Sequence, residues 1–186
     1  RFCVGKGYRF EAVVKTSKSP FYKLSELGKI HRYSMLCKCD YTPDRKRFSI
    51  LFKKGDEFNG DMAKENIQEF GALEEEIRAD SVLYVKGDDI EMLRVLGSFY
   101  EAEKDQMREL LQMLREQGYS FWIFAKRNLA SDETSEYLKK YNNLKKKVGN
   151  IKADFRLFCD SFEARLEFVA LVCFKEDLNN DVNSLV

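Results

Sequence analysis

The stretch "YSMLCKCDYTPDRKRFSILF", at positions 33–52, restricts the fold of this chain more than any other. Its first half alternates in the period of a β-strand, with Cys37 and Cys39 on one face as small core residues. Thr42–Pro43–Asp44 follows as a favourable turn, because proline fixes its own φ and aspartate bonds the local backbone. Residues 45–54 then return as the antiparallel partner. The chain is therefore predicted to contain a β-sheet built around this hairpin.

The returning strand carries the basic run Arg45–Lys46–Arg47 directly before Phe48, Ile50 and Phe52. One interpretation is a solvated strand face whose cations keep the chain soluble. The other is a binding site that places a cation at a fixed offset from an aromatic side chain, for which Tyr41 is the candidate. The pattern alone leaves both interpretations open.

Periodicity extends the prediction to the rest of the chain. Alternation predicts further strands at 8–16, 21–27, 81–85, 119–126 and 167–174. Helical spacing predicts helices at 88–96, at about 107–118, and from 131 to 162 with a break at Gly149–Asn150. The charged stretch 55–79 is predicted to form an enlarged exposed loop with a short helix at 63–70. The expected class is α+β, an antiparallel β-sheet flanked by helices.

Size and charge narrow the function classes. A chain of 186 residues suits a single domain, 1–186. Its formal net charge of +1 argues against general binding to nucleic acid or to a membrane surface, which requires a basic field. No apolar run is long enough to span a membrane. Because the chain starts at Arg1 without a methionine, we expect an excised piece of a longer protein.

Cysteine and histidine usage argues against a metal site. The five cysteines, an odd number, suggest reduced thiols in the cytosol. His31 is the single histidine, and no cysteine pair has the spacing of a zinc site. No nucleophile is placed beside His31 either. We therefore expect neither a metal centre nor a catalytic histidine.

A few residues could together receive a nucleotide. Tyr41, the run Arg45–Lys46–Arg47, and Lys86 before Gly87 could meet in space. A purine base would stack on the tyrosine ring, one ammonium group would lie near the phosphates, and the glycine would let backbone approach closely. The chain has no GxxxxGK[ST] phosphate loop and no Gly-rich dinucleotide fingerprint. A Lys–Gly pair is weak support alone, so the residues by themselves do not decide between a nucleotide site and a solubilising face.

The order of motifs resembles the nucleotide-binding domain of P-type ATPases, in particular the phospholipid flippases. Those proteins carry Asp-Phe-Asn-Ser-x-Arg-Lys-Arg-Met-Ser where this chain has "DYTPDRKRFS". "GYRFEAVVKT" is similar to the segment that precedes it in the family, and "VLYVKGDDIEML" is similar to the family's KGAD segment. "REQGYSFWIFAKRNLASDETSEYLKKY" resembles the later strand and helix. The resemblance covers about residues 5–145, with a weaker match in "LEFVALVCFKEDLNNDV".

The resemblance implies an ATP-binding cytosolic domain of an integral membrane protein. Tyr41 would stack on adenine, Lys46 would lie near the nucleotide, and Lys86–Gly87 would form the floor of the site. The domain performs no catalysis alone. It would present the γ-phosphate of Mg-ATP to a phosphorylation domain of the parent chain, a phospholipid-transporting ATPase that also has an actuator domain. The DKTGT motif that accepts the phosphate is absent from the sequence.

Departures from the family pattern keep a second hypothesis open. Asp88 stands where the family has a small residue, and Ser120 stands where it has a phosphate-holding arginine. Asp88 is either a repulsive charge at the nucleotide site or a helix cap that faces solvent. The alternative function is a degenerate, regulatory or interaction module with weak or no ATP binding, for example fused to a guanylyl cyclase. A coincidental match of an unrelated α+β fold would lack pairing between 33–41 and 44–53.

Two further features have simpler expectations. Trp122 lies in an apolar strand and is expected to be a core residue. Lys145–Lys146–Lys147 is expected to be a solvated helix face, with contact to a phosphate or a headgroup as the alternative.

Overall fold

A computed structural model describes residues 8–14, 21–58, 81–147 and 152–175. Within these ranges the strands form one seven-stranded sheet in the order β1 to β7, and each strand pairs antiparallel with the next. The strands are β1 Tyr8–Val14, β2 Phe21–Glu26, β3 Lys29–Cys39, β4 Arg47–Phe58, β5 Ser81–Gly87, β6 Tyr119–Leu129 and β7 Glu167–Lys175.

Helices in the described ranges follow β5 and β6. They are α1 Asp89–Val95, α2 Glu101–Glu116, α3 Ser131–Lys146 and α4 Lys152–Phe162. The predicted α+β class, an antiparallel sheet flanked by helices, is confirmed. The predicted break at Gly149–Asn150 lies outside the described residues. None of the described helices is both long and apolar enough to cross a membrane.

The core lies between the helices and one face of the sheet. Alternation in β5 and β6 buries Leu83, Val85, Ile123 and Ala125 on that face. Helix residues that pack against them include Met92, Leu93, Leu111, Tyr137 and Phe158. Cys37 and Cys39 belong to the same core, as the strand pattern predicts. The intervening residues of β5 and β6 therefore point to the opposite face, which we call the outward face.

The predicted hairpin is confirmed by the register of β3 and β4, in which Cys39 lies opposite Ser49. The return strand nevertheless begins later than expected. The backbone N–H groups of Arg45 and Lys46 both donate to the carbonyl oxygen of Thr42, at 3.1 and 2.7 Å, which keeps these two residues in the turn. The strand then continues further than expected, to Phe58, so the first residues of the predicted loop 55–79 are strand. The rest of that loop and its helix at 63–70 lie outside the described residues.

Candidate functional site

The two arginines of the basic run are buried, contrary to the interpretation of the run as a solvated face. Arg45 and Arg47 are each 3% exposed, and Glu163 at the end of α4 is fully buried between them. Arg45 Nη2 donates to Glu163 Oε1 at 2.6 Å, and Arg47 Nε donates to Glu163 Oε2 at 3.1 Å. Ser49 Oγ donates to Glu163 Oε1 at 2.6 Å. The two arginines are thus not part of a solvated face, because the chain's own carboxylate engages their guanidinium groups.

Both guanidinium groups also interact with oxygen atoms of other residues. Arg45 Nη1 donates to the carbonyl oxygen of Asp40 at 2.9 Å. Arg47 Nη2 donates to Asp160 Oδ1 at 2.6 Å, and its Nη1 lies 3.6 Å from Glu91 Oε2. Burial lowers the pKa of Arg47, but the neighbouring carboxylates of Glu163 and Asp160 outweigh it and raise that pKa. The network therefore consists of charged groups that tie the hairpin turn to α1 and α4.

The turn that these arginines hold presents Lys46 to solvent. Lys46 has a φ of 49°, in the left-handed region, and its side chain is exposed. Its carbonyl oxygen accepts the N–H of Asp88 at 3.0 Å. Lys46 is therefore the exposed cation of the run.

Gly87 packs against this same turn. A Cβ atom at position 87 would lie 2.6 Å from the carbonyl oxygen of Lys46 and 2.8 Å from Arg47 Cγ. Distances that short are not tolerated between a Cβ and its neighbours without movement. Gly87 therefore approaches the chain's own backbone closely, at the turn that carries Lys46.

Tyr41, Trp122 and Lys86 lie together on the outward face, and we call them the Tyr41 plate. Tyr41 is 44% exposed, and its ring meets Trp122 edge to face, with the centroids 6.1 Å apart. Lys86 Nζ lies 4.9 Å from the centroid of the Trp122 ring. The plate offers two aromatic rings and one ammonium group at an open surface, which suits the stacking of a planar ligand.

The expectation that Trp122 is a core residue is wrong. Its neighbours Phe121 and Ile123 point into the core, so the alternation of β6 places Trp122 on the outward face, where it is partly exposed. Sequence inspection missed it because residues 121–125 are apolar at every position, which hides the phase of the strand. Val172 of β7 lies directly opposite Trp122 and does not cover its side chain completely.

Ser120 is exposed and shares the outward face of β6 with Trp122, two positions earlier in the strand. It pairs with Phe174 of β7, whereas the pairing of β6 with β5 ends at Ile123 and Gly87. Ser120 therefore lies beyond the end of β5. Of the predicted site residues, the structure joins Tyr41 to Lys86 through Trp122, and Lys46 to Gly87 through the turn.

Asp88 does not cap the helix that follows it. It occupies the N-cap position of α1, but its side chain makes no capping hydrogen bond. Burial raises the pKa of Asp88, the Lys46 ammonium lowers it, and the carboxylates of Asp89 and Glu91 raise it further. The interpretation of Asp88 as a helix cap is thus wrong, and its carboxylate stands close to Lys46.

The sequence predicts that ATP binds here. On that expectation Asp88→Asn should tighten the binding about two- to fivefold at neutral pH, because it removes a negative charge beside Lys46 at a partly exposed site. The advantage should shrink as the pH falls through the raised pKa of Asp88, since protonation of the native residue removes the same charge. Titrations of both proteins over a pH series measure this. Equal affinities at neutral pH would contradict the electrostatic account.

Neither the comparisons with known proteins nor the metal-ligating residues identify a ligand for this site. No family model matches the chain, and no curated protein matches it. Within the described ranges, no group of three or more histidine, cysteine, aspartate or glutamate residues could hold a metal ion. Among the described residues, Asp44, Arg45 and Arg47 line one cavity and Asp40 and Thr42 line another, but neither Tyr41 nor Lys86 lines either of them. The candidate site is therefore an open surface defined by its own residues.

Proposed function

We propose that the Tyr41 plate binds the base of ATP, and that the chain is the nucleotide-binding domain of a flippase-like P-type ATPase. The observation that carries the proposal is that Tyr41 and Lys86, which are distant in sequence, both contact Trp122. The resemblance implies that Tyr41 binds adenine and that Lys86 forms part of the floor of the site.

The geometry suggests how each group would act. Adenine would stack on the exposed ring of Tyr41, and base–aromatic stacking contributes about 1–3 kcal/mol per base. Lys86, whose ammonium group lies over the Trp122 ring, would meet the ribose or the first phosphate. Lys46, exposed on its turn, is the second cation available to the phosphates.

In the parent protein this domain would deliver the γ-phosphate of Mg-ATP to an aspartate of a separate phosphorylation domain. The domain itself would contribute binding and orientation, and phosphoryl transfer depends largely on positioning and on charge stabilisation. The partners implied are ATP and the phosphorylation and actuator domains of the same chain.

A second function, a degenerate regulatory or interaction module, is favoured by the charges around Lys46. The ammonium group of Lys46 and the carboxylates of Asp89 and Glu91 all interact electrostatically with the carboxylate of Asp88. Ser120 contributes no positive charge where the family has an arginine. A triphosphate would meet fewer cations and more carboxylates than in the family, which weakens its binding.

Fluorescence of Trp122, the single tryptophan in the chain, reports directly on the plate. We expect ATP to change its emission when the indole is excited at the red edge of its band, where adenine does not absorb. Tyr41→Ala should weaken the affinity about tenfold, since it removes the stacking surface at the low end of the usual range.

Tyr100→Ala is the matched control. Tyr100 is 79% exposed and lies before α2, away from Trp122, so its removal should leave the affinity for ATP unchanged. An unchanged affinity in Tyr41→Ala would contradict the proposed stacking role. A native protein that gives no response at millimolar ATP would favour the degenerate module.

A further inference from the structure

A second concave site lies on the helical side of the molecule, between the end of β3, the last turns of α3 and the start of α4. Its volume is about 350 Å³, at the small end of the range for small-molecule sites. We call it the α3–α4 cavity. Asp40 and Thr42 line it, whereas Tyr41 between them lies on the Tyr41 plate and does not.

The floor of the α3–α4 cavity is apolar and is provided by Tyr141, Leu144 and Phe155. The hydroxyl of Tyr141 donates to the carbonyl oxygen of Lys38 at 2.8 Å, so its polar end is satisfied and its ring is left to form cavity wall. Leu144 is buried, and Phe155 packs against Phe158 with the centroids 6.1 Å apart. Covering this surface with the apolar part of a ligand lowers the free energy, because apolar area is removed from water.

The rim of the cavity is basic. Among the described lining residues, Lys38, Lys145 and Lys152 carry ammonium groups and Asp40 carries a carboxylate. Lys38 Nζ donates to Asp40 Oδ1 at 3.0 Å, which neutralises that pair. Lys145 Nζ lies over the Tyr141 ring, 4.6 Å from its centroid. The ammonium group of Lys145 therefore stands beside the apolar surface of the cavity.

We propose that the α3–α4 cavity binds a small amphiphilic anion. The apolar body of the ligand lies on Tyr141, Leu144 and Phe155, and its carboxylate or monophosphate head meets Lys145. A compact concave site with a single cationic rim fits one small ligand, whereas nucleic acid requires an extended basic path and a more basic chain. Helical periodicity predicted a solvated face for the lysine run that begins at Lys145. The proposal gives Lys145 a role in binding a ligand.

The probe for this site is 2-naphthyl phosphate, with 2-naphthol and inorganic phosphate as its apolar and its charged halves. We expect the probe to shift the amide resonances of Tyr141, Leu144 and Lys145, with each half binding at least about tenfold more weakly, because apolar burial and charge pairing both contribute. Octanoate supplies the same combination on an aliphatic body. The tighter of the two amphiphiles identifies the aromatic or the acyl class of ligand.

Lys145→Gln should weaken binding of the probe by about threefold to tenfold, since a charge-assisted contact is lost. Lys139→Gln is the matched control, because Lys139 is an exposed residue of the same helix that does not line the cavity. Equal binding of 2-naphthol and 2-naphthyl phosphate would overturn the proposal. So would equal affinities in both variants, failure of both amphiphiles to bind, or shifts confined to Tyr41 and Trp122.

Discussion

Replacing Glu163 with alanine is expected to lower the free energy of unfolding by about 3–5 kcal/mol, the usual effect of removing one partner from a buried ion pair. The carboxylate is fully buried and receives donors from Arg45, Arg47 and Ser49. Without this carboxylate, the positive charges of Arg45 and Arg47, whose residues are each 3% exposed, are offset by less negative charge. Urea denaturation measured by far-UV circular dichroism gives the change directly.

Glu167→Ala is the control for this measurement. Glu167 pairs with Lys126 at 3.7 Å, but its side chain is 59% exposed, so its loss should cost less than about 1 kcal/mol. A triple variant, Arg45→Met, Arg47→Met and Glu163→Leu, should recover much of the stability lost in Glu163→Ala, because no unpaired buried charge remains. A Glu163→Ala protein as stable as Glu167→Ala would show that the network does not stabilise the fold.

Gly87→Ala is expected to destabilise the protein by about 1–3 kcal/mol, the cost of forcing an atom into a packed site. The added Cβ would lie 2.6 Å from the carbonyl oxygen of Lys46, which is backbone and also accepts the N–H of Asp88. Relief of that contact must move the turn that carries Lys46. We therefore expect weaker ATP binding as well as a lower urea midpoint.

Gly55→Ala provides a matched strand glycine. A Cβ at position 55 would lie 3.5 Å from Arg32 Cβ and from its carbonyl oxygen, an ordinary van der Waals distance. This variant should stay within about 1 kcal/mol of the native protein, because alanine also restricts the unfolded chain. Equal stabilities of the two alanine variants would mean that the approach of Gly87 to Lys46 is not tight.

Periodicity was sufficient to place the strands and helices, because most of them alternate or repeat against one core. It failed at the start of β4, where the usual distribution of residues is reversed. Arg47 and Ser49 occupy the buried face there, while Phe48 and Ile50 are only partly buried. The reason is Glu163, which makes burial of these polar groups favourable and which lies too far along the chain for a local pattern to reveal.

The candidate site shows the same limit. Tyr41, Lys46 and Lys86 could be selected from residue type and from the family resemblance. Trp122 could not, because its strand is apolar on both faces and only the packing of Phe121 and Ile123 fixes the phase. The position of Asp88 beside Lys46 also depends on how the hairpin turn meets α1, which is a long-range contact.

The most direct test of the nucleotide proposal is a titration of the protein with ATP, observed by amide chemical shifts, beside a Lys86→Ala variant. The account predicts shifts that cluster at Tyr41, Lys46 and Lys86 and that disappear in the variant. If millimolar ATP moves none of these resonances, the Tyr41 plate is not a nucleotide site in this protein. The carboxylate of Asp88 and the absence of a cation at Ser120 would then support the regulatory module.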